Sequence, residues 1–324
     1  MRRRELLAGP VAVGLSSRAW AQTRTGPIRI GFITFQGPAL SSSTDELRKG
    51  LTERGYVDGR DVVIEAAFVD GDRARAERFV RDLVEQRVDV IVAWTTPAGF
   101  VAKRATEGTG IPVVLVTSDP VAAGLVASLA RPGGNLTGIS MASPDLSGKR
   151  LQLLKEVMPR LRTVAFLGNS RSANAPVFLR QNKVAADQLG LSVVSRLIDS
   201  PELIDEKLLD GMKQEGAEAL VVQPNLTGQA ARIVALATKA GMPVVSDHPP
   251  FAAAGALLTL GADERQHVRQ AAYYIDRILK GSRPADLPIE QPTSFPFILN
   301  ARAARQFGLA LPPDILSRAD EVID

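Results

Sequence analysis

The feature that most constrains the fold is an internal duplication. The stretch GIPVVLVTSDP, which starts at Gly110, is similar to GMPVVSDHPP, which starts at Gly241. Three more apolar segments of the first half, starting at Ile28, Gly55 and Arg87, have counterparts in the same order about 130 residues later. Four matching segments in one order indicate that a single structural unit occurs twice.

Each unit alternates apolar strands with amphipathic helices. Ala76, Val80 and Leu83 recur at the spacing of one helical face between two predicted strands. The strand segments are nearly continuous runs of Val, Ile and Leu, which is typical of a parallel sheet covered on both faces. We therefore predict an α/β protein with two doubly wound parallel-sheet lobes.

The pattern stops repeating after His248. Residues 255–261 predict a strand, 264–280 a helix and 287–300 an extended, proline-interrupted segment, and a last helix begins at Ala301. Elements beyond two complete lobes imply that the chain returns to the first lobe and crosses back.

We therefore expect a hinge made of three crossings. They are predicted near residues 140–147, 252–258 and 287–297. The corresponding division gives the first lobe residues 27–143 plus 255–288, and the second lobe residues 144–254 plus 289–324.

The first 21 residues predict an export signal. They have an arginine-rich start, a short apolar centre and the sequence Ala19-Trp20-Ala21, which fits a cleavage site after Ala21. The alternative is a basic tail. Arg3-Arg4 fits a twin-arginine leader, while Gly9 and Pro10 interrupt the apolar centre and leave the export route open. We expect a periplasmic protein.

The composition of the remaining chain excludes several classes of function. With 45% hydrophobic and 23% charged residues, the full chain is typical of a globular protein. Residues 1–21 contain four arginines and one glutamate, so the net charge of +4 falls to near +1 without them. We therefore predict no nucleic-acid partner. The absence of cysteine excludes disulfides, thiolate nucleophiles and cysteine-ligated metals.

Candidate ligand-binding residues lie where the predicted strands end. In open parallel sheets, ligands bind outside the carboxyl ends of the strands. Most side chains at these ends are neutral hydrogen-bonding groups. The candidates are Thr34, Phe35, Gln36, Thr95, Thr96, Pro97, Ser118, Asp119, Asn169, Ser170, Gln223, Asn225 and Asp247.

Several of these strand ends also begin helices. Thr96-Pro97 predicts a helix start with Thr96 as the cap, and free N–H groups at such a start can hold a carboxylate. Asp119 and Asp247 are candidates for pairing with a ligand ammonium. The alternative for each residue is that it only caps its own helix.

Catalysis finds little support in the sequence. His248 follows an aspartate but has no nucleophile at a defined spacing, and His267 is expected on the surface of the 264–280 helix. No metalloprotease, hydrolase or phosphate-loop motif occurs. We predict that the protein is not an enzyme, with no catalytic residue, no metal site and no cofactor.

Three segments are similar to a known family. Residues 119–140, 149–159 and 278–323 resemble the bacterial ABC-transporter substrate-binding family that includes tryptophan and tyrosine uptake proteins. The resemblance implies the type I periplasmic binding fold, a small-molecule ligand and delivery of that ligand to a membrane permease. It also places Leu260 where members usually carry an aromatic residue.

The resemblance and the strand ends predict capture of an amino acid or of an aromatic or aliphatic carboxylate. Phe35, Trp94 and Phe251 are candidates to flank its apolar part, or else to pack in the core. We expect a monomer. The alternative function is a ligand-sensing regulatory module of the same architecture.

Overall fold

The computed structural model describes residues 26–38, 41, 43–141, 146–172 and 174–324. The predicted export signal lies outside these residues. The elements up to the first crossing are β1 (Ile28–Thr34), α1 (Ser43–Thr52), β2 (Val62–Phe68), α2 (Arg73–Glu85), β3 (Val90–Trp94), α3 (Thr96–Ala105), β4 (Val113–Thr117) and β5 (Leu136–Ser140).

The second half repeats this alternation and then extends it. Its elements are α4 (Ser147–Val157), β6 (Thr163–Asn169), α5 (Ala175–Gln188), β7 (Ser192–Ile198), α6 (Glu206–Gln214), β8 (Ala219–Val222), α7 (Ala230–Lys239), β9 (Val244–Ser246), α8 (Pro249–Ala253), β10 (Leu258–Leu260), α9 (Glu264–Leu279), β11 (Phe297–Asn300), α10 (Ala301–Gln306), α11 (Pro313–Arg318) and β12 (Glu321–Ile323).

The two halves form two separate sheets. The first has the order β2-β1-β3-β4-β5, with every neighbouring pair parallel. The second has the order β12-β11-β10-β9-β8-β6-β7, and only the β10–β11 pair is antiparallel. Every residue of β3 and β4 is buried, as their unbroken apolar runs require. The α/β prediction of two parallel-sheet lobes is confirmed.

The second crossing lies later than the sequence predicted. The expected division assigned residues 255–288 to the first lobe, but β10 pairs with β9 and β11 in the second sheet. The chain therefore crosses at 261–263, just before α9, rather than at 252–258. A three-residue strand can extend either sheet, and only its long-range pairing decides which one.

The third crossing is confined to a short stretch. Glu290 pairs with Ile139 of β5, and the Tyr274 hydroxyl donates to the Pro288 carbonyl oxygen at 3.1 Å, so the chain stays with the first lobe as far as residue 290. It joins the second sheet at Phe297. Residues 291–296 therefore link the lobes.

Helix α9 completes the core of the first lobe. Leu47 and Leu51 of α1 share a buried cluster with Val268 and Ile275 of α9. The helices approach so closely that a Cβ atom at Gly50 would lie 2.3 Å from the Arg269 carbonyl oxygen.

The same packing corrects the expectation for His267. It is buried rather than on the surface, with its Nδ1 atom 2.5 Å from the Asp263 carbonyl oxygen one turn earlier. The polar sequence around this histidine does not show that α9 is covered along this face.

Candidate ligand-binding cleft

A large cavity separates the carboxyl ends of the two sheets. Its volume is about 1920 Å³, larger than the roughly 300–1,000 Å³ of a typical small-molecule site. Its walls include the segments that follow β1, β2 and β3 in the first lobe and β6, β7 and β8 in the second, and the cavity extends along the first lobe past the end of α3 to the start of β5. The duplication therefore places equivalent ends of both sheets on one cleft.

A second, much smaller cavity lies beside the first crossing. Its volume is about 10 Å³, and both lobes contribute to it. No lysine, arginine, aspartate or glutamate is among the described residues of its wall, which are Gln36, Thr95, Thr96, Val116, Thr117, Ser118, Met141, Pro224, Asn225 and His248. Here the polar groups of the two lobes come together.

Nine of the thirteen sequence-predicted residues lie on these cavities. Those on the large cavity are Phe35, Gln36, Thr95, Pro97, Asn169, Ser170 and Asn225. Thr96 and Ser118 line the small cavity. Thr34, Asp119, Gln223 and Asp247 line neither.

Three of the remaining residues hold the loops behind the cleft. The Thr34 hydroxyl accepts from the Gln36 N–H at 3.1 Å, and Asp119 Oδ1 accepts from the N–H groups of the two residues at 121 and 122. Gln223 Oε1 accepts from the Asn169 N–H at 2.9 Å. Their polar atoms stabilise the turns that carry the cavity walls.

Asp247 lies beside a cation inside the second lobe. Arg150 Nη1 is 3.8 Å from Asp247 Oδ2, and both side chains are at least 97% buried. Arg150 also donates to the Leu260 carbonyl oxygen at 3.0 Å. Burial lowers the pKa of Arg150, and the Asp247 carboxylate partly opposes that shift. The structure therefore places a guanidinium at the position where the sequence suggested a ligand ammonium.

Thr95 has the most unusual backbone on the cleft. Its φ is +101°, a conformation that a β-branched residue rarely adopts. It occupies the position that precedes α3, yet its side chain does not cap that helix, and its hydroxyl accepts from the Phe35 N–H at 3.4 Å. The sequence had assigned the cap to Thr96. Strain of this kind costs about 1–3 kcal/mol and is concentrated at functional sites.

The sequence missed the charged part of the large cavity wall that lies at the edge strands. Asp70 and Arg73 follow β2, and Asp199 and Glu202 follow β7, at the outer strands of the two sheets. The Asp70-Gly71-Asp72 turn after an apolar run was the available signal. Applying the strand-end rule to the edge strands as well would have found it.

The three candidate aromatic residues separate into wall and core. Phe35 lines the large cavity, together with Phe100, which the sequence did not single out. Trp94 and Phe251 are buried, and the Trp94 ring packs 6.1 Å from that of Phe32. Leu260 also packs in a buried cluster of the second lobe and not on either cavity.

A family model described as ABC transporter substrate binding protein matches residues 30–323. The chain belongs to this family. Membership favours the transport interpretation over the regulatory module, and a substrate-binding protein has no need of catalytic residues. Within the described residues, no group of three or more histidines and carboxylates could hold a metal ion.

Relatives of this substrate-binding protein include one known by its ligand. A tyrosine-binding protein of Clostridioides difficile is 26% identical over 266 residues, which cover 81% of this chain and 75% of the relative.

Two solved structures of similar sequence differ in how well they superpose. An ABC domain from Streptococcus pneumonia in complex with L-Trp has a TM-score of 0.85 at 26% identity, covering 92% of this chain and 100% of the other. A ligand-free, open substrate-binding protein with adhesive properties from Clostridium difficile has a TM-score of 0.67 at 25% identity, covering 91% and 99%. This chain therefore superposes better on the L-Trp complex than on the open, ligand-free structure.

The described part of the substrate-binding protein contains no helix with the length and hydrophobicity needed to cross a membrane.

Proposed function

We propose that this substrate-binding protein captures an amino acid, or an aromatic or aliphatic carboxylate, and delivers it to the membrane permease of an ABC importer. The observation that carries the proposal is the cleft between the lobes, where neutral hydrogen-bonding groups from the strand ends of both sheets lie together beside the first crossing. The printed ligands of two relatives, tyrosine and L-Trp, support this class of ligand.

The first turn of α3 supports recognition of a carboxylate. The helix begins at Thr96 on the wall of the small cavity, and Pro97 lies on the large one. The first N–H groups of a helix have no partner within it, and they lie at its positive end. A carboxylate can therefore be held there without a paired arginine.

The nearby aromatic residues support an apolar group on the ligand. Phe35 and Phe100 line the same cavity as Thr95 and Pro97. A ring or branched chain next to them would be removed from water, at about 25 cal/mol for each Å² buried. Polar groups on the strand ends and apolar groups beside them match an amphipathic acid.

A thermal-shift assay measures the binding of each candidate ligand to the protein. We expect L-tryptophan, L-tyrosine or L-leucine at 100 times its Kd to stabilise the folded protein by about 2.7 kcal/mol, which raises the melting temperature by roughly 5–10 °C. Indole-3-propionate and 3-(4-hydroxyphenyl)propionate, which lack the amine, test whether the ammonium is recognised. If no amino acid or organic acid of this set shifts the melting temperature at millimolar concentration, the proposed ligand class is wrong.

We also propose that the mature protein is a periplasmic monomer that begins at Gln22. The motivation is the basic start and the Ala19-Trp20-Ala21 sequence of the leader. We expect the intact mass of the exported protein to correspond to residues 22–324, and its light-scattering mass to be that of a single chain. A product in the cytoplasm that retains Met1 contradicts the export signal.

A further inference from the structure

A hydrogen bond joins the lobes directly. Asn174 Nδ2, in the second lobe, donates to the Thr96 Oγ1 atom of the first lobe at 3.0 Å. The two residues are 1% and 3% exposed. Because they lie on separate lobes, the bond can form only when the lobes are together.

Asn174 occupies a position where asparagine usually has a different role. It precedes α5, and an asparagine there normally caps its own helix through its side chain. Its backbone has φ −88° and ψ −7° instead of the extended conformation of a cap, and its side chain makes no capping bond. The amide reaches Thr96 across the cleft instead.

We propose that the Asn174–Thr96 hydrogen bond is an interlobe latch, which favours the closed arrangement of the lobes in the absence of ligand. Asn174 lines neither cavity, so the bond does not require a ligand atom. The better superposition on the L-Trp complex than on the open, ligand-free structure is consistent with a closed state in which this bond is made.

The latch is expected to be weak enough to open. Asn174 Oδ1 is buried and makes no hydrogen bond to any of the described residues. Its burial opposes closure, since opening of the cleft returns the oxygen to water. The net free energy of one such hydrogen bond changes the ratio of closed to open molecules by about 2- to 10-fold.

The consequence for affinity rests on the proposed function. A ligand that binds only the closed form has an apparent Kd that is inversely proportional to the closed fraction. If that fraction is small, Asn174→Ala weakens binding by the same 2- to 10-fold, although Asn174 lines neither cavity.

The latch can be tested without any ligand, so its failure is distinguishable from failure of the proposed ligand class. The chain has no cysteine, so cysteines at two exposed positions, Arg81→Cys on α2 and Asp187→Cys on α5, can be spin-labelled without background. Pulsed electron paramagnetic resonance then gives the interlobe distance distribution. We expect a short-distance component in the ligand-free protein, and Asn174→Ala should lower its ratio to the long component by about 2- to 10-fold.

Three further variants separate the latch from a general loss of structure. Thr96→Val should lower the short component as much as Asn174→Ala, and the double variant should lower it no further, because both remove one bond. Asn182→Ala is the matched control, since that buried amide of α5 donates to the Ser147 hydroxyl and the Phe178 carbonyl oxygen within the second lobe. It should leave the distribution unchanged. An unchanged distribution in Asn174→Ala, or no short component in the parent protein, would overturn the proposal.

Discussion

Replacing Arg150 by alanine is expected to lower the free energy of unfolding by about 3–5 kcal/mol, because it removes the guanidinium that faces the buried Asp247 carboxylate. The pair lies inside the second lobe, where water does not screen the remaining charge. The substitution also removes the donor to the Leu260 carbonyl oxygen next to the second crossing. The melting temperature, followed by circular dichroism, should fall by roughly 10 °C.

A double variant shows whether the loss of stability in Arg150→Ala comes from the unpaired buried charge or from the lost side-chain volume. Replacing both partners, as in Arg150→Met with Asp247→Leu, leaves no buried charge at this pair and should recover most of the loss. If the double variant melts as low as Arg150→Ala, the loss comes from packing.

Replacing Gly261 by alanine is expected to destabilise the protein by about 3 kcal/mol, at the upper end of the usual cost of overpacking. A Cβ atom at this position would lie 2.1 Å from the Asp247 carbonyl oxygen. That atom belongs to the backbone, so the second crossing or the end of β9 must move. Urea unfolding measures the cost, and the ligand found by thermal shift should bind more weakly.

The matched control is Gly211→Ala in the middle of α6. No atom lies within 4 Å of a Cβ placed there. The alanine should therefore stabilise the protein by about 0.4–1 kcal/mol by restricting the unfolded chain. Equal unfolding midpoints for the two variants would contradict the steric account of Gly261.

The duplication was enough to predict the lobes because it fixes a local order of elements. Strands such as Val90–Trp94 are apolar throughout, and each is followed by a helix. This pattern favours a parallel sheet with helices covering both faces. The position of β10 was not predictable in this way. Its three residues carry no preference for either sheet, and their pairing with β9 and β11 is a long-range contact.

The candidate site was predictable where it depends on strand ends, and less so where it depends on side-chain partners. Asn169 and Asn225 lie on the cavity wall because the strands end there. Asp247 also follows a strand end, but Arg150, 97 residues earlier in the chain, lies beside it. No local pattern around Asp247 identifies that cation. The role of Thr96 was missed for the same reason, since its partner Asn174 is on the other lobe.

The position of α9 has a consequence for the order of folding during synthesis. The first sheet is complete in sequence by Ser140, yet α1 packs against a helix that begins only at Glu264. Until that helix has left the ribosome, Leu47 and Leu51 lack the partners with which they are buried in the native protein. The lobe that is synthesised first therefore cannot complete its core until most of the second lobe has been synthesised, and a chain that stops before residue 264 has an exposed apolar face on its N-terminal lobe.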